Sequence, residues 1–220
     1  MTELEIIDDD SDLIEELLPP WKILVVDDDD AVHQMTDFVL KGHNFFGKKL
    51  DIISAYSAAA ALEVLKNDND IALALIDVVM ESEKAGFTLV KQIRDALHNH
   101  HIRLIIRTGQ PGFSSEEDIS KEYEIHGYFL KTEITSEKLK AIVHTALRSY
   151  QDIIELEYKN QQLKQLCFDI REALNGLHGS VQIANKTQDP EKQKNALSKA
   201  SSFSKKLIDM INEKLEKLGN

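Results

Sequence analysis

Ile23-Leu24-Val25-Val26-Asp27-Asp28 is an unbroken apolar run closed by two carboxylates. A strand with one wet face alternates apolar and polar side chains. This run therefore predicts a strand covered on both faces, as in a parallel sheet sandwiched between helices. The chain beyond it repeats the arrangement. Residues 31–40 have helical spacing, 50–55 read as a strand and 58–65 as a helix. Residues 71–76 are apolar again and lead into a helix over 87–97. Leu104-Ile105-Ile106 predicts a fourth strand, 115–123 a helix and Tyr128-Phe129-Leu130 a fifth strand. Five such units in about 130 residues predict an α/β fold built on a five-stranded, doubly wound parallel sheet.

In sheets of this kind the reactive groups gather at the carboxyl ends of the strands. That rule brings together Asp27 and Asp28 after the first strand, Asp77 after the third, Thr108 after the fourth and Lys131 after the fifth. Three carboxylates in one crevice repel one another unless a divalent cation neutralises them, and an all-oxygen donor set suits Mg2+. A Lys ammonium and a Thr hydroxyl facing the same point would stabilise a planar, charge-spread phosphoryl group. The chemistry implied is phosphoryl transfer to a carboxylate, with Asp77 as the nucleophile. Any one of these residues alone reads as a surface acid or a cap; five at consecutive strand ends do not.

Four segments carry a family resemblance: Ile23-Leu24-Val25-Val26-Asp27-Asp28, Leu75-Ile76-Asp77-Val78-Val79-Met80, Arg107-Thr108-Gly109 and Gly127-Tyr128-Phe129-Leu130-Lys131. Together they resemble the receiver domain of two-component response regulators, over residues 21–150. The resemblance implies a flavodoxin-like fold with Asp77 as phospho-acceptor and Asp27 and Asp28 as its acidic pocket. It implies Mg2+ as cofactor, with the main-chain carbonyl of Val79 as a further oxygen ligand. It also implies that Thr108 and Lys131 sense the phosphoryl group, that Tyr128 is the aromatic switch residue, and that a cognate histidine kinase or phosphotransferase is the donor. Two departures stand out. Thr132 follows Lys131 where a proline is usual, so the cis peptide common there is not expected, and Phe45-Phe46-Gly47 lengthens the link from the first helix to the second strand. Arg107-Thr108-Gly109-Gln110-Pro111-Gly112, Lys131-Thr132-Glu133-Ile134-Thr135 and Ala146-Leu147-Arg148-Ser149-Tyr150 resemble more closely one receiver subgroup. That subgroup often precedes cyclic-dinucleotide phosphodiesterase modules. The 70 residues after position 150 are too few for such a module, so the output is expected within 151–220.

Charge divides the chain at the same places. The net charge is −12, of which residues 1–20 carry −8 with no Lys or Arg, ending at Pro19-Pro20. They read as an acidic leader, either a solvated tail or a short amphipathic turn. Residues 151–220 hold eleven Lys and Arg against ten Asp and Glu. This distribution argues against nucleic acid as a partner. No apolar run approaches the roughly 18 residues of a membrane span. Met1-Thr2-Glu3-Leu4-Glu5 is acidic where a secretory signal would be basic, so a cytoplasmic location is expected. The single cysteine, Cys167, excludes an intrachain disulfide and is expected to be a small buried apolar residue.

After the fifth strand the helical pattern does not stop. No proline occurs from 137 to about 185, and apolar residues recur at helical spacing throughout. Lys186-Thr187-Gln188-Asp189-Pro190 reads as a turn, with Asp189 as N-cap and Pro190 at the first helical position. In the second helix Leu197, Ser204, Ile211 and Leu218 recur at intervals of seven, beside a stripe of Ala200, Phe203, Leu207 and Met210. An isolated two-helix hairpin cannot bury stripes on both helices well, whereas two hairpins paired as a four-helix bundle can. The expectation is a homodimer through 151–220.

Phe168-Asp169-Ile170-Arg171-Glu172-Ala173-Leu174-Asn175-Gly176 resembles the phospho-acceptor box of histidine-kinase dimerisation domains, and Lys206-Leu207-Ile208-Asp209-Met210-Ile211-Asn212 their second helix. The acceptor histidine of the box is Phe168 here and its proline is Ala173. Phenylalanine has no nucleophilic nitrogen, so the hairpin reads as a dimerisation module without catalysis. His178 offers an alternative, a relay phosphotransferase with a displaced acceptor, set against a plain exposed histidine. His98, His100 and His101 read as a solvated connection rather than a metal site. Together these features predict a response regulator with a non-DNA-binding, dimeric hairpin output.

Overall fold

The computed structural model describes residues 18–109 and 123–218. Residues 1–17 of the acidic leader expected over 1–20, and nearly all of the helix expected over 115–123, lie outside the described residues. The strands β1 (Trp21–Val26), β2 (Leu50–Ala55), β3 (Ile71–Asp77), β4 (Arg103–Thr108) and β5 (Gly127–Leu130) form one parallel sheet in the order β2-β1-β3-β4-β5. The helices are α1 (Asp30–Leu40), α2 (Ala58–Asn67), α3 (Ala85–Lys91), α4 (Ser136–Lys186) and α5 (Pro190–Leu218). The order reverses between β1 and β3, which opens a crevice outside their carboxyl ends.

Both faces of the sheet are covered, as the apolar runs require. Leu24, Val26, Ala74, Ile76, Leu104 and Ile106 pack on one side against residues such as Ala61, Leu65, Leu89 and Ile93. Ile23, Val25, Leu73, Leu75 and Ile105 pack on the other with Leu40, Leu139, Val143 and Leu147. Every residue of β3 and β4 is buried, while the edge strands β2 and β5 are only partly covered. Side-chain caps fix the helix starts. Asp29 accepts the Ala31 N–H at 2.9 Å, Ser57 that of Ala60 at 3.2 Å and Thr135 that of Lys138 at 3.2 Å. Each such cap is worth about 1 kcal/mol.

Three local features refine the sequence reading. The Phe45-Phe46-Gly47 insertion is not a loose extension. Phe45 and Lys48 pair across a tight turn whose central residues are left-handed, Phe46 at φ 55° and Gly47 at φ 72°. Phe45 is buried, and its carbonyl accepts the Trp21 indole N–H at 2.8 Å. The helix expected over 87–97 is regular only to Lys91, then widens into a π-helical turn over Gln92–Ala96. That turn carries the buried Arg94, whose guanidinium donates to the carbonyls of Asn99, Ile102 and Glu124. Three acceptors make the interior position tolerable for a cation. Beyond β5 the chain enters a short 3-10 turn over Lys131–Glu133, with no cis peptide bond among the described residues.

The chain divides into two compact units, Met1–Ile154 and Glu155–Asn220. The helix expected from 137 to about 185 is α4, 51 residues long. The second unit holds its C-terminal part and α5. Asp189 caps α5 by accepting the Glu191 N–H at 2.9 Å, and Pro190 is its first residue. The two helices of this unit meet along small residues: Ala173, Ser180 and Ala184 on α4 and Ala196 and Ala200 on α5 are buried. A Cβ on Gly176 would come within 2.5 Å of the Phe203 ring, so glycine lets the ring lie across α4. The larger apolar side chains point elsewhere; Leu163, Leu174 and Val181 on α4, and Leu197, Ile208 and Ile211 on α5, are exposed. Cys167 corrects the expectation of burial. It is exposed because it falls in line with Leu163 and Leu174, not with the small-residue seam. No helix among the described residues is long and apolar enough to cross a membrane.

Candidate functional site

The ends of β1 and β3 place Asp27 and Asp77 side by side, since Val26 pairs with Ile76 in the register. Asp28 joins them from the residue before α1 begins its cap. One oxygen from each of the three carboxylates lies within 4.8 Å of the others. Asp27 and Asp77 are buried and Asp28 is exposed, so the cluster has a closed base and an open mouth. Among the described residues it is the one grouping of His, Cys, Asp or Glu compact enough for a metal ion. Its donors are all hard oxygens, and they fit Mg2+.

Lys131, immediately after β5, reaches into the same point. Its Nζ is 2.9 Å from Asp27 Oδ2 and 2.8 Å from Asp77 Oδ2. Burial alone would lower the Lys131 pKa, but the hydrogen bonds it donates to Asp77 and Asp27, with the charges of those carboxylates, outweigh it and the value is raised. Asp77 also accepts the Val78 N–H at 2.8 Å through Oδ1. Even so its pKa is raised, because burial, together with the neighbouring Asp27 charge, outweighs Lys131 and the Val78 N–H.

This shift has a sign that can be measured. The folded protein holds the Asp77 proton more tightly than the unfolded chain. Its favourable contribution is therefore complete at low pH and is lost as pH rises through the raised value. Above that value an ionised, buried carboxylate opposes folding, and a cation that binds only the ionised form relieves it. Mg2+ should therefore stabilise the protein more at about pH 7.5 than at about pH 4.5. At ten times its Kd the gain at neutral pH is about 1.4 kcal/mol. Thermal melts with and without Mg2+ at the two pH values check this; equal Mg2+ shifts would contradict it.

The other residues picked out by the sequence fall around this centre in different ways. Thr108 ends β4, fully buried, and pairs in register with Leu130. Tyr128 is half-buried against the α2 and α3 side of the core, whereas Phe129 packs on the opposite side. Val79 is half-buried in the loop after β3, between two anchored neighbours: the Val78 carbonyl accepts the Gly86 N–H at 3.1 Å and Met80 donates to the Ser82 carbonyl at 3.2 Å. His178 is exposed on α4 with Nε2 2.9 Å from the Gln182 side-chain nitrogen. His100 lies 3.3 Å from the Glu124 carboxylate, and the carbonyls of His100 and His101 accept from Arg103. That connection is a structural clamp.

Four contributors escaped the sequence reading. Glu81 accepts the Ala58 N–H at 3.1 Å and so ties the loop after Asp77 to the start of α2. Gly86 packs so tightly on the end of β3 that a Cβ there would sit 2.1 Å from the Asp77 carbonyl oxygen. His33, buried on α1, places Nε2 2.8 Å from the Asp27 carbonyl. Arg107 stands on β4 opposite Asp77 in the register and is buried. Only Arg107 left a signal, a cation at the end of the apolar run Leu104-Ile105-Ile106.

No family model matches the chain. Its sequence is 46% identical over 138 residues to the 3'3'-cGAMP-specific phosphodiesterase 2 of Vibrio cholerae, a match that takes in 63% of this chain and 26% of that enzyme. The chain thus spans about a quarter of that relative's length. Among solved structures it is similar to a response regulator receiver domain protein from Clostridium thermocellum, with a TM-score of 0.51 and 23% identity over 60% of this chain and 98% of that one. It is similar also to the signal receiver domain of an HD domain-containing protein from Pseudomonas fluorescens, with a TM-score of 0.51 and 21% identity over 61% of this chain and 99% of that one. An adenylate cyclase from Rhodopirellula baltica gives a TM-score of 0.56 at 17% identity, over 65% of this chain and 98% of that one. At these identities the likeness is one of fold. The sheet and its flanking helices have the flavodoxin-like receiver fold.

Proposed function

We propose that the chain is a two-component response regulator, phosphorylated on Asp77 from a phosphohistidine donor and signalling through a dimeric helical hairpin without contacting nucleic acid. The observation that carries this reading is the convergence of Asp27, Asp28 and Asp77 on one point bridged by Lys131. A buried carboxylate in a crevice with an open mouth is positioned for attack on a phosphorus atom. An Asp77 oxygen forms the new O–P bond as the N–P bond of the donor breaks; the imidazole leaves with the electron pair and takes a proton from solvent. Lys131 places its ammonium where charge spreads over the phosphoryl oxygens. Asp27, Asp28, Asp77 and the main-chain carbonyl of Val79 would hold Mg2+. When bound, Mg2+ supplies the positive charge that lets carboxylates and phosphoryl oxygens share the crevice. Thr108 at the end of β4 and Tyr128 on the adjacent β5 would register the new group and pass the change to the receiver surface.

A radiolabelled small phosphodonor with Mg2+ tests the reading. The label should be stable in acid and lost in base, as an acyl phosphate is. A label lost in acid and stable in base would move the acceptor to His178 and the function to a relay phosphotransferase.

The output proposal rests on which side chains the hairpin leaves uncovered. On α4 the line 163, 167, 170, 174, 177, 181 keeps a 3.5-residue period about a quarter turn from the Ala173–Ser180–Ala184 seam. On α5, 197, 204, 208 and 211 lie about a quarter turn from Ala196 and Ala200 in the same rotational sense. Because the helices run in opposite directions, these two offsets bring both lines to one side of the hairpin. A second hairpin placed against that side completes a four-helix bundle. The arrangement supports a degenerate kinase-type dimerisation module, exposed Phe168 standing where such a module has its histidine. Leu174→Lys combined with Ile208→Lys should weaken dimerisation at least about 100-fold, since each lost apolar contact is worth roughly 1.5–3 kcal/mol. Sedimentation of the full chain at about 10 μM should show a dimer for the parent and a monomer for the variant, a concentration typical of subunit association measurements. A monomeric parent would end the proposal.

A further inference from the structure

The ladder of β1 ends at Val26, which pairs with Ala55 on one side and Ile76 on the other. Asp27, the next residue, donates its N–H to the Ala55 carbonyl at 3.1 Å. Its own carbonyl meets a side chain instead, His33 of α1, with Nε2 at 2.8 Å. A carbonyl oxygen can only accept, so Nε2 carries the hydrogen and Nδ1 the lone pair. Nδ1 is buried with no hydrogen-bond partner among the described residues. The ring is 5% exposed and is walled by Tyr56, whose ring centroid lies 4.3 Å away and whose hydroxyl donates to Asp30 Oδ1 at 3.0 Å. An apolar side chain would fill this place without stranding a nitrogen, so what the histidine adds is its bond to Asp27. The bonded carbonyl belongs to the peptide joining Asp27 to Asp28, two of the three acids of the acidic centre.

We propose that His33 is a positioning residue for the acidic centre, holding the peptide between Asp27 and Asp28 so that the centre favours Mg2+ over Ca2+. This rests on the reading of Asp27, Asp28 and Asp77 as a divalent-cation site. Mg2+ demands near-octahedral geometry at about 2.1 Å, whereas Ca2+ accepts varied geometries at about 2.3–2.6 Å. Rotation of that one peptide moves a carboxylate on each side of it, a displacement that Ca2+ absorbs and Mg2+ does not. Groups that orient metal ligands from behind set affinity by about 10- to 100-fold. Lys131, on Asp27 and Asp77, and the buried Arg107 repel two cations of equal charge alike, so they drop out of the ratio.

Magnesium and calcium chlorides, titrated calorimetrically into the full, metal-free chain, test this. His33→Phe keeps a ring against Tyr56 and removes the donor. Mg2+ should bind it about tenfold more weakly, and Ca2+ should change by less than about twofold. His33→Gln carries an amide nitrogen the same number of bonds from the backbone as Nε2, and should restore Mg2+ binding to within about threefold of the parent. Tyr56→Ala is a second variant, at a position 49% exposed and so outside the core. It removes the wall behind His33 and should weaken Mg2+ about threefold with Ca2+ unchanged. Parental Mg2+ affinity in His33→Phe would overturn the proposal. So would an equal loss for Ca2+, the mark of general loosening, or no recovery in His33→Gln. Should His33→Phe not fold, unchanged Mg2+ binding in Tyr56→Ala overturns it instead. A parent chain that binds neither cation would overturn the metal-site reading itself, a result distinct from all of these.

Discussion

Asp77→Asn is expected to abolish phosphoryl labelling while leaving a folded protein that melts higher than its parent. The loss follows from chemistry: an amide oxygen lacks the electron density to open a phosphoryl bond, and the reduction should be at least about 1000-fold. The gain follows from the environment. Burial, the largest influence on Asp77, and the Asp27 charge together outweigh the contact with Lys131, so the fold prefers that side chain neutral. Asparagine supplies a neutral group of the same shape and can keep an oxygen facing the Val78 N–H, now 2.8 Å from Oδ1. The expected stabilisation is about 1 kcal/mol in metal-free buffer at neutral pH. Labelling assays and thermal melts on the same preparation measure both halves. Undiminished labelling would remove Asp77 as the acceptor; a lower melting temperature would mean that the Lys131 contact outweighs burial.

Gly86→Ala is expected to damage the fold and the acidic centre together. The added methyl would stand 2.1 Å from the Asp77 carbonyl oxygen and 2.9 Å from its carbonyl carbon. Both are backbone atoms at the end of a fully buried strand, so no side chain can swing away to make room. Either α3 lifts off β3, which breaks the bond from the Gly86 N–H to the Val78 carbonyl, or the end of β3 moves and carries Asp77 with it. Overpacking of this severity costs about 3 kcal/mol. Mg2+ affinity should fall as well, because the three carboxylates must hold their mutual positions to share one cation. Gly109→Ala is the control, since a Cβ there meets nothing within 4 Å. A Gly86→Ala protein as stable as the Gly109→Ala protein would mean that the contact is readily relaxed.

The sheet was legible because its strands are buried on both faces. A strand such as β3, buried along its whole length, is apolar from Ile71 to Ile76, and such runs stand out in a sequence. The acidic centre was legible for a related reason. Strand ends are where the apolar run stops, so Asp27, Asp77 and Lys131 appear as charged residues directly after hydrophobic ones, and the topology rule then collects them. The α5 start was legible from Asp189 and Pro190 because capping is a local interaction. The π-helical turn at Gln92–Ala96 was not, because its buried Arg94 answers to carbonyls at positions 99, 102 and 124, brought near only by folding.

In the hairpin the sequence showed two apolar stripes on α5 without saying which one its partner helix takes. Packing chose Ala196, Ala200 and Phe203, since small residues let backbones approach closely and Gly176 admits a ring. That choice left Leu197, Ile208 and Ile211 outward and put Cys167 in the open. By itself, then, the sequence determined the strand order's raw material, the long helix, the turn at 186–190 and the identity of the acidic cluster, all of which follow from periodicity, capping and strand-end position. The tertiary structure alone decided which groups lose their solvent. Asp77 at 4% exposure, Arg107 with two unfilled nitrogens, Gly86 against a carbonyl and the outward face of the hairpin are outcomes of burial. Burial depends on residues far apart in the chain, and it is burial that sets an ordinary carboxylate such as Asp77 apart from one at the surface.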